Sequence, residues 1–247
     1  MPTCTSTRST RTARRRWARS SSTSSSRSGR SVEQHTDLDV IAITDHERID
    51  GAQRAAELHA AGDFSFDLVV GEEITTRRGH VLALFIHERI PALPSLDESL
   101  RRIHAQGGIA IAAHPKAPLP LSVGRRSLRS VRDATDEGIY FDALELFNPS
   151  HAGRMRHDAR LALNAAELGL PGVGNSDGHV LEGIGTGATS FPGHTAVDYR
   201  AAVAAGTVMP EGEHWSAAHN VDVYRRQLRA KLRHLWHTVK PGSEDWR

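Results

Sequence analysis

The chain has 247 residues, which is long enough for one large α/β domain with a full hydrophobic core. Its single cysteine, Cys4, excludes a disulfide framework and a thiolate metal cluster within one chain. The whole chain holds 31 Lys and Arg and 29 Asp and Glu, but residues 1–31 contain eight of the arginines and no acidic residue. The remainder is therefore net acidic, and the net charge of +2 is no argument for nucleic-acid binding. No apolar run approaches the length of a membrane span, so we expect a cytoplasmic protein without a membrane partner.

Residues 1–31 form a low-complexity segment rich in Arg, Ser and Thr. It has no apolar periodicity and cannot bury enough surface to offset the entropy of ordering. We therefore predict that residues 1–31 are disordered and that one α/β domain spans residues 32–247. The composition fits a transit peptide or a basic tail that binds nucleic acid, whereas a secretory signal would need an apolar segment.

The first half of the domain alternates apolar runs with polar segments. The run Leu38–Ile43 predicts a buried strand, and a helix over Asp50–Ala61 follows it. Two further strands are predicted at Phe66–Val70 and His80–Ile86. Ser95, with Glu98 three residues later, predicts a capping box at the start of a helix that ends near Gln106.

The second half continues the alternation. Strands are predicted at Ile109–Ala113, Phe141–Phe147 and Gly172–Gly174, and helices at 126–138, Gly153–Leu168, Ala196–Ala205 and Ser216–Val239. In the last helix, apolar residues recur near helical spacing with Arg and Lys between them, which predicts a helix packed on the domain with a basic outer face. Alternating strands and helices predict a parallel sheet or barrel.

Ligand-type side chains recur at the ends of these predicted strands. In parallel α/β folds the carboxyl ends of the strands meet at one edge, where active sites are built. Imidazole and carboxylate groups without thiolates suit Zn, Mn or Fe. The candidates are Asp45, His46, Glu73, His80, His114, Asp177 and His179.

Each motif alone also has an ordinary structural interpretation. Asp45 and His46 could cap a helix, Glu73 could be a solvated charge, and His80 could be a core histidine. The pair Asp177 and His179, which directly follows a short strand, is the most specific single signal. Together, two or three divalent ions held by such residues could bind phosphate oxygens and generate hydroxide at neutral pH.

The motifs in series resemble the PHP (polymerase and histidinol phosphatase) family. They read D-V-I-A-I-T-D-H, V-V-G-E-E-I-T-T-R-R-G-H-V-L-A-L, G-G-I-A-I-A-A-H-P, L-E-L-F-N and G-N-S-D-G-H, and they cover Val40 to Gly187. The resemblance implies a distorted TIM-like (βα)7 barrel with up to three divalent metal ions (Mn, Zn or Fe). It also implies a metal-dependent phosphoesterase that acts on a small phosphorylated substrate or a nucleotide.

The same resemblance implies a role for individual residues. Glu73, His80 and His114 would complete the protein ligands of one ion. His46 and His179 would belong to a second ion, and Asp177 would join Glu73 at a third.

Other roles lie outside the metal ligands. Asp45 would orient a ligand and take part in catalysis. Lys116 and either Arg77 or Arg78 would meet the substrate phosphate.

The N-terminus departs from the family pattern. The family begins with a strand bearing D-L-H-x-H-S/T, followed closely by S-D-G, whereas here no His precedes His35 and no Asp precedes Asp37. We therefore expect the first barrel strand to be missing or disordered, and fewer than three ions to bind. The codons that can encode Met1–Ala13, read two bases later, permit A-D-L-H-V-H-S-Q-Y-S-D-G, so a reading-frame error or natural frameshift is one explanation.

Three functions remain open from the sequence. The first is hydrolysis of a phosphate monoester or a nucleotide-type phosphodiester by metal-activated water. The second is a catalytically impaired remnant of such an enzyme. The third is a binding module whose basic tail engages nucleic acid. The sequence specifies neither the oligomeric state nor the substrate.

Overall fold

The structure, a computed structural model, describes residues 4–9, 37–92, 94–117, 122–179, 181–223 and 225. The chain divides into two units, Met1–His214 and Trp215–Arg247. In the second unit, residues 217–223 are helical. The rest of the predicted C-terminal helix, and with it the predicted packing on the domain, lies outside the described residues. Within the described part of the chain, no helix is both long enough and apolar enough to cross a membrane.

The first unit is built on a nine-stranded sheet with the order β7-β6-β5-β4-β3-β2-β1-β8-β9. Its strands are β1 (Cys4–Ser9), β2 (Val40–Ile43), β3 (Asp67–Thr76), β4 (Gly79–Leu84), β5 (Ile109–Ala112), β6 (Ala143–Phe147), β7 (Gly172–Gly174), β8 (Gly187–Phe191) and β9 (Met209–Gly212). The sequence predicted β2 to β7, with β3 ending too early. It did not predict β8 or β9.

The sheet is mixed, which corrects the prediction of an all-parallel barrel. Strands β2 and β3, β5 and β6, and β6 and β7 run parallel, but β3–β4 and β4–β5 are antiparallel. Strand β3 continues to Thr76, and only Arg77 and Arg78 connect it to β4. Two residues can join antiparallel strands but cannot form the long crossover that parallel strands need.

The sheet curls so that β7 comes beside β8. The Gly174 amide donates to Thr189 Oγ1 at 3.0 Å, and the Thr189 hydroxyl is 2.9 Å from the Gly174 carbonyl oxygen. A Cβ on Gly187 would lie 2.3 Å from the Asn175 carbonyl oxygen, so the two chains approach closely. These contacts bring β7, at one end of the sheet, against β8, the strand next to the other end, and the fold is an α/β half-barrel.

Strand β1 lies within the segment predicted to be disordered, and it shows a strand where the first strand was expected to be missing or disordered. Cys4–Ser9 pairs antiparallel with β2 and parallel with β8. Ladder hydrogen bonds come from the backbone, so a polar segment can supply them, and threonines favour strands. Without β1, the facing edges of β2 and β8 would be unpaired. Residues 10–31 lie outside the described residues.

Six α-helices flank the sheet or connect its strands in the described part of the first unit. They are α1 (Asp50–Ala60), α2 (Leu96–Ala105), α3 (Arg125–Arg132), α4 (His151–Arg154), α5 (His157–Leu163) and α6 (Ala196–Ala205). The predicted cap of α2 is present, because Ser95 Oγ accepts from the Glu98 amide. Helix α3 ends at Arg132, six residues before the predicted boundary.

The predicted single helix Gly153–Leu168 is broken. Met155 is extended and Arg156 has a left-handed φ of 67°, so α4 ends there and α5 begins at His157. The buried guanidinium of Arg160 donates to the carbonyl oxygens of Gly153 and Met155, which the break leaves without helical partners. A π-helical turn, Asn164–Leu168, completes the segment.

The hydrophobic core lies on both faces of the sheet, as strand alternation requires. In β5, Ala110 and Ala112 pack on the face covered by α2 and α3, while Ile109 and Ile111 pack on the opposite face with Tyr199 of α6. Apolar side chains therefore fill both faces of the sheet.

Candidate metal centre

The β3–β4 hairpin determines which of two adjacent glutamates enters the site. Glu73 pairs with Leu82, and Thr75 pairs with His80, so Glu73 and His80 are diagonal neighbours on one face. Glu72 points to the other face, where its Oε2 accepts from the Ile90 amide at 2.9 Å. The apolar pattern assigned neither carboxylate to a face, because the strand was predicted to end before them, and Glu73 was named as the ligand through the family resemblance.

Three imidazoles surround the buried carboxylate of Glu73. His80 Nδ1 lies 2.8 Å and His114 Nε2 3.3 Å from Glu73 Oε1. His46 Nε2 lies 3.5 Å from Glu73 Oε2. The side chain of Glu73 is only 5% exposed, so these rings replace most of its contact with water.

Each histidine is positioned by a different strand. His46 follows β2 and forms a bridge with Glu73 that extends the parallel pairing of β2 and β3. His80 is the second residue of β4, and His114 lies two residues beyond β5. The donor atoms of His46, Glu73 and His80 lie within 4.8 Å of one another and could hold a metal ion.

The electrostatics of the cluster favour a charged carboxylate. Burial alone would raise the pKa of Glu73, but hydrogen bonds from His114 and His80 and the charge of His46 hold this pKa well below its usual range. Burial opposes charge on His114 too, yet its hydrogen bond to Glu73 and the nearby carboxylates raise its pKa to about 9. Glu73 is thus an anion beside the His114 cation, and a metal cation could take the place of the proton on His114.

Asp177 and His179 lie at the edge of this cluster and turn towards each other. His179 Nδ1 is 3.0 Å from the Asp177 carbonyl oxygen and 3.6 Å from Asp177 Oδ1. The ring of His179 is 6.3 Å, centroid to centroid, from that of His46. The structure thus brings three predicted ligands around Glu73, itself a fourth, and leaves these two beside them.

Two of the predicted ligands have unusual backbone conformations. The φ angles of His114 and Asp177 are 29° and 47°, in the region that L-residues rarely adopt. Such conformations persist only when surrounding contacts hold them, and they concentrate at functional sites. Lys116, two residues after His114, has a φ of 59°.

A buried polar network behind the cluster was not assigned any role from the sequence. Glu145 Oε2 accepts from the His114 amide at 3.0 Å and from Asn175 Nδ2 at 3.3 Å. Asn148 Nδ2 donates to Asp177 Oδ2 at 3.3 Å. The available signal was one carboxylate inside the otherwise apolar run A-L-E-L-F.

The structure also gives the positions of the three predicted catalytic and substrate-binding residues. The carboxylate of Asp45 lies against Gly51 at the start of α1. Lys116 Nζ lies 3.4 Å from the carbonyl oxygen of Ala159 in α5. Arg77 occupies the exposed β3–β4 turn. Their predicted roles stay predictions.

Comparison with known proteins gives two sequence matches. A family model described as PHP-associated matches residues 159–208. The uncharacterized protein MJ1587 of Methanocaldococcus jannaschii is 34% identical over 134 residues, which are 54% of this chain and 71% of that protein.

A solved structure matches the fold. It is the crystal structure of a two-domain protein from Bacteroides vulgatus, described as containing a predicted PHP-like metal-dependent phosphoesterase. The match has a TM-score of 0.53 and 19% sequence identity, and it covers 74% of this chain and 59% of that one. At this identity the likeness concerns the fold, and this chain spans less than two thirds of the solved protein.

Proposed function

Because the chain belongs to the PHP family, we propose that it is a metal-dependent phosphoesterase. Its substrate is a phosphate monoester or a nucleotide-type phosphodiester. The single observation that carries this proposal is the buried carboxylate of Glu73 with three imidazole nitrogens 2.8–3.5 Å from its oxygens.

The donor set fits a divalent cation. His46, Glu73, His80 and His114 offer nitrogen and oxygen atoms that suit Zn, Mn or Fe. A bound cation of this kind would polarise a phosphate and lower the pKa of bound water. Asp177 and His179 would serve an additional ion at the edge of the cluster.

The residues of the chain contribute binding and orientation. Glu73 supplies the negative charge that attracts cations, since its pKa is held low. Asp45 orients the segment that carries His46. Lys116 and Arg77 contribute positive charge at the rim, where they would meet phosphate oxygens and orient the ester.

The direct test combines metal analysis with hydrolysis of para-nitrophenyl phosphate and bis-para-nitrophenyl phosphate by the full chain. We expect bound divalent metal and turnover that a chelator removes and added metal restores. Two or more ions with turnover support the enzyme. One ion without turnover on either ester would instead identify a remnant that lacks the family's first-strand ligands.

The reading-frame hypothesis has its own test. If the nucleotides across the start of the gene spell D-L-H-V-H-S two bases out of frame, the frame-restored protein should bind more metal ions than this chain. Nucleotides that do not spell this motif end the hypothesis.

The alternative of a nucleic-acid-binding module rests on the arginines of residues 1–31. Deleting the whole segment would also remove β1, so Arg14, Arg15 and Arg16 should be changed to Gln instead. Salt-dependent DNA binding that these substitutions abolish, in a chain without hydrolytic activity, would favour that alternative.

A further inference from the structure

Glu145 is a buried acid in the middle of an apolar strand. It is 2% exposed, and its β6 neighbours Leu144 and Leu146 are buried in the core. Burial raises the pKa of its carboxyl group, although the nearby charge of His114 opposes this. A buried carboxyl group is unfavourable unless hydrogen bonds offset its lost hydration, so its contacts should explain why it is there.

Those contacts reach the strands on both sides. Strand β6 lies between β5 and β7 in the sheet. Glu145 Oε2 accepts from the amide of His114, beyond the end of β5, and from the side-chain amide of Asn175, directly after β7. One carboxylate oxygen therefore connects the two segments that carry His114 and Asp177.

Both connected segments contain a strained residue. His114 and Asp177 have φ angles of 29° and 47°, and each is a candidate metal ligand. Asn148, directly after β6, donates from its side-chain amide to Asp177 Oδ2 at 3.3 Å. Asn148 and Asn175 are 1% and 2% exposed, so water does not readily replace these hydrogen bonds.

We propose that Glu145 is a positioning residue that holds His114 and the Asp177 segment in the conformation that binds metal. This inference rests on the proposed metal-dependent function and extends it to a residue outside the ligand set. Glu145 acts through the His114 amide and Asn175, and its length matters more than its charge.

Two substitutions separate length from charge. Glu145→Gln keeps the length and one acceptor oxygen for the His114 amide, but it removes the charge. Glu145→Asp keeps the charge but is shorter by one methylene, about 1.5 Å, so it cannot reach both partners. A positioning role predicts that Glu145→Asp is the more damaging change.

Calorimetric titration of the full metal-free chain with Mn²⁺ and with Zn²⁺ measures the effect. We expect the metal dissociation constant to rise about 10-fold in Glu145→Gln and about 100-fold in Glu145→Asp, the range seen for residues that orient ligands. Glu72→Gln is the matched control. Glu72 is equally buried, and its Oε2 accepts from the Ile90 amide on the opposite face of the sheet. The Glu72→Gln variant should bind metal with the same affinity as the wild type.

A metal-free measurement separates positioning from general stability. Nuclear magnetic resonance of the His114 imidazole and the Asn175 side-chain amide should show shifts in both Glu145 variants and none in Glu72→Gln. Thermal unfolding of Glu145→Gln should stay close to that of Glu72→Gln. If Glu145→Asp does not fold, the metal affinity and the resonance shifts of Glu145→Gln test the proposal.

The proposal is overturned if the folded Glu145 variants keep wild-type metal affinity and unchanged His114 resonances. It is also overturned if Glu145→Asp binds metal more tightly than Glu145→Gln. Wild-type chain that binds metal but hydrolyses no ester would refute the phosphoesterase proposal alone. The resonance shifts test the positioning role even in a chain that binds no metal.

Discussion

The candidate metal centre has two sides that are built differently. On the ladder side, His46, Glu73 and His80 lie on or directly beside the paired strands β2, β3 and β4. On the loop side, Asp177 and His179 follow β7 in a segment held by side chains such as Asn148. His114 belongs to both, because its ring contacts Glu73 and its amide is held by Glu145.

The difference concerns what determines ligand geometry. A strand register fixes which side chains share a face, so the ladder side follows from backbone pairing. A loop in an uncommon conformation needs specific partners that hold it. The ladder side should therefore bind the tighter ion and tolerate more change in its surroundings.

The largest expected effect comes from Glu73→Gln. It removes the only carboxylate among the four clustered residues, and we expect metal affinity to fall more than about 100-fold, with no detectable hydrolysis. In the metal-free protein it leaves the buried His114 cation without its partner, which should lower the free energy of unfolding by about 3–5 kcal/mol. Metal titration and urea unfolding measure both, and Glu72→Gln again serves as control. If Glu73→Gln binds metal with wild-type affinity, the ladder side is not a metal site.

The next pair of variants compares the two sides directly. His80→Ala should abolish binding of the tighter ion, whereas Asp177→Asn should keep it and lose a weaker one. Asn tolerates the left-handed conformation of Asp177, so the backbone should be maintained. Metal content after dialysis, with hydrolysis rates, distinguishes the two. Equal losses in both variants would mean that the sides form one inseparable site.

A smaller effect is expected at the turn that places His80. Gly79 has a φ of 128°, and a Cβ there would lie 2.4 Å from the Val123 amide nitrogen. Gly79→Ala should lower the free energy of unfolding by about 1–3 kcal/mol and weaken metal binding through His80. Gly124→Ala is the comparison, because nothing lies within 4 Å of a Cβ at that position. A Gly79→Ala protein as stable as Gly124→Ala would show that the hairpin adapts.

The smallest expected effect is a pH dependence away from the centre. Burial would lower the pKa of His104, but hydrogen bonds with Asp142 and the Gly138 carbonyl raise it above 6.5. The resulting stability is fully present below pH 6.5, the value for the unfolded chain, and is lost as the pH rises through the folded-state pKa. The stability difference between wild type and His104→Gln should therefore shrink as the pH increases. Urea unfolding across this range tests it, and a difference that grows with pH would contradict the assignment.

The sequence predicted β2 to β7 because these strands follow local apolar patterns, and the same patterns placed the candidate ligands where those strands end. Apolar runs ended at His46, His114 and Asp177, and a capping pattern marked the start of α2. What failed were features that depend on partners distant in sequence. A polar segment was not expected to form β1, and β8, which includes Thr189 and Ser190, offered no apolar run to predict.

The choice between Glu72 and Glu73 shows the same limit. Adjacent residues on a strand point to opposite faces, but the sequence does not say where a strand ends or which face is the site. Glu145 appeared only as one letter of a motif, because its function depends on hydrogen bonds to the ends of two neighbouring strands.

The sequence by itself determined the composition of the site: histidines and carboxylates at strand ends, without thiolates. Only the tertiary structure decided which of them meet, because strand register, sheet curvature and the strained segments at His114 and Asp177 are set by contacts between distant residues. Residue type is a local property, whereas a distance of 2.8 Å between His80 and Glu73 requires the whole hairpin to be in register.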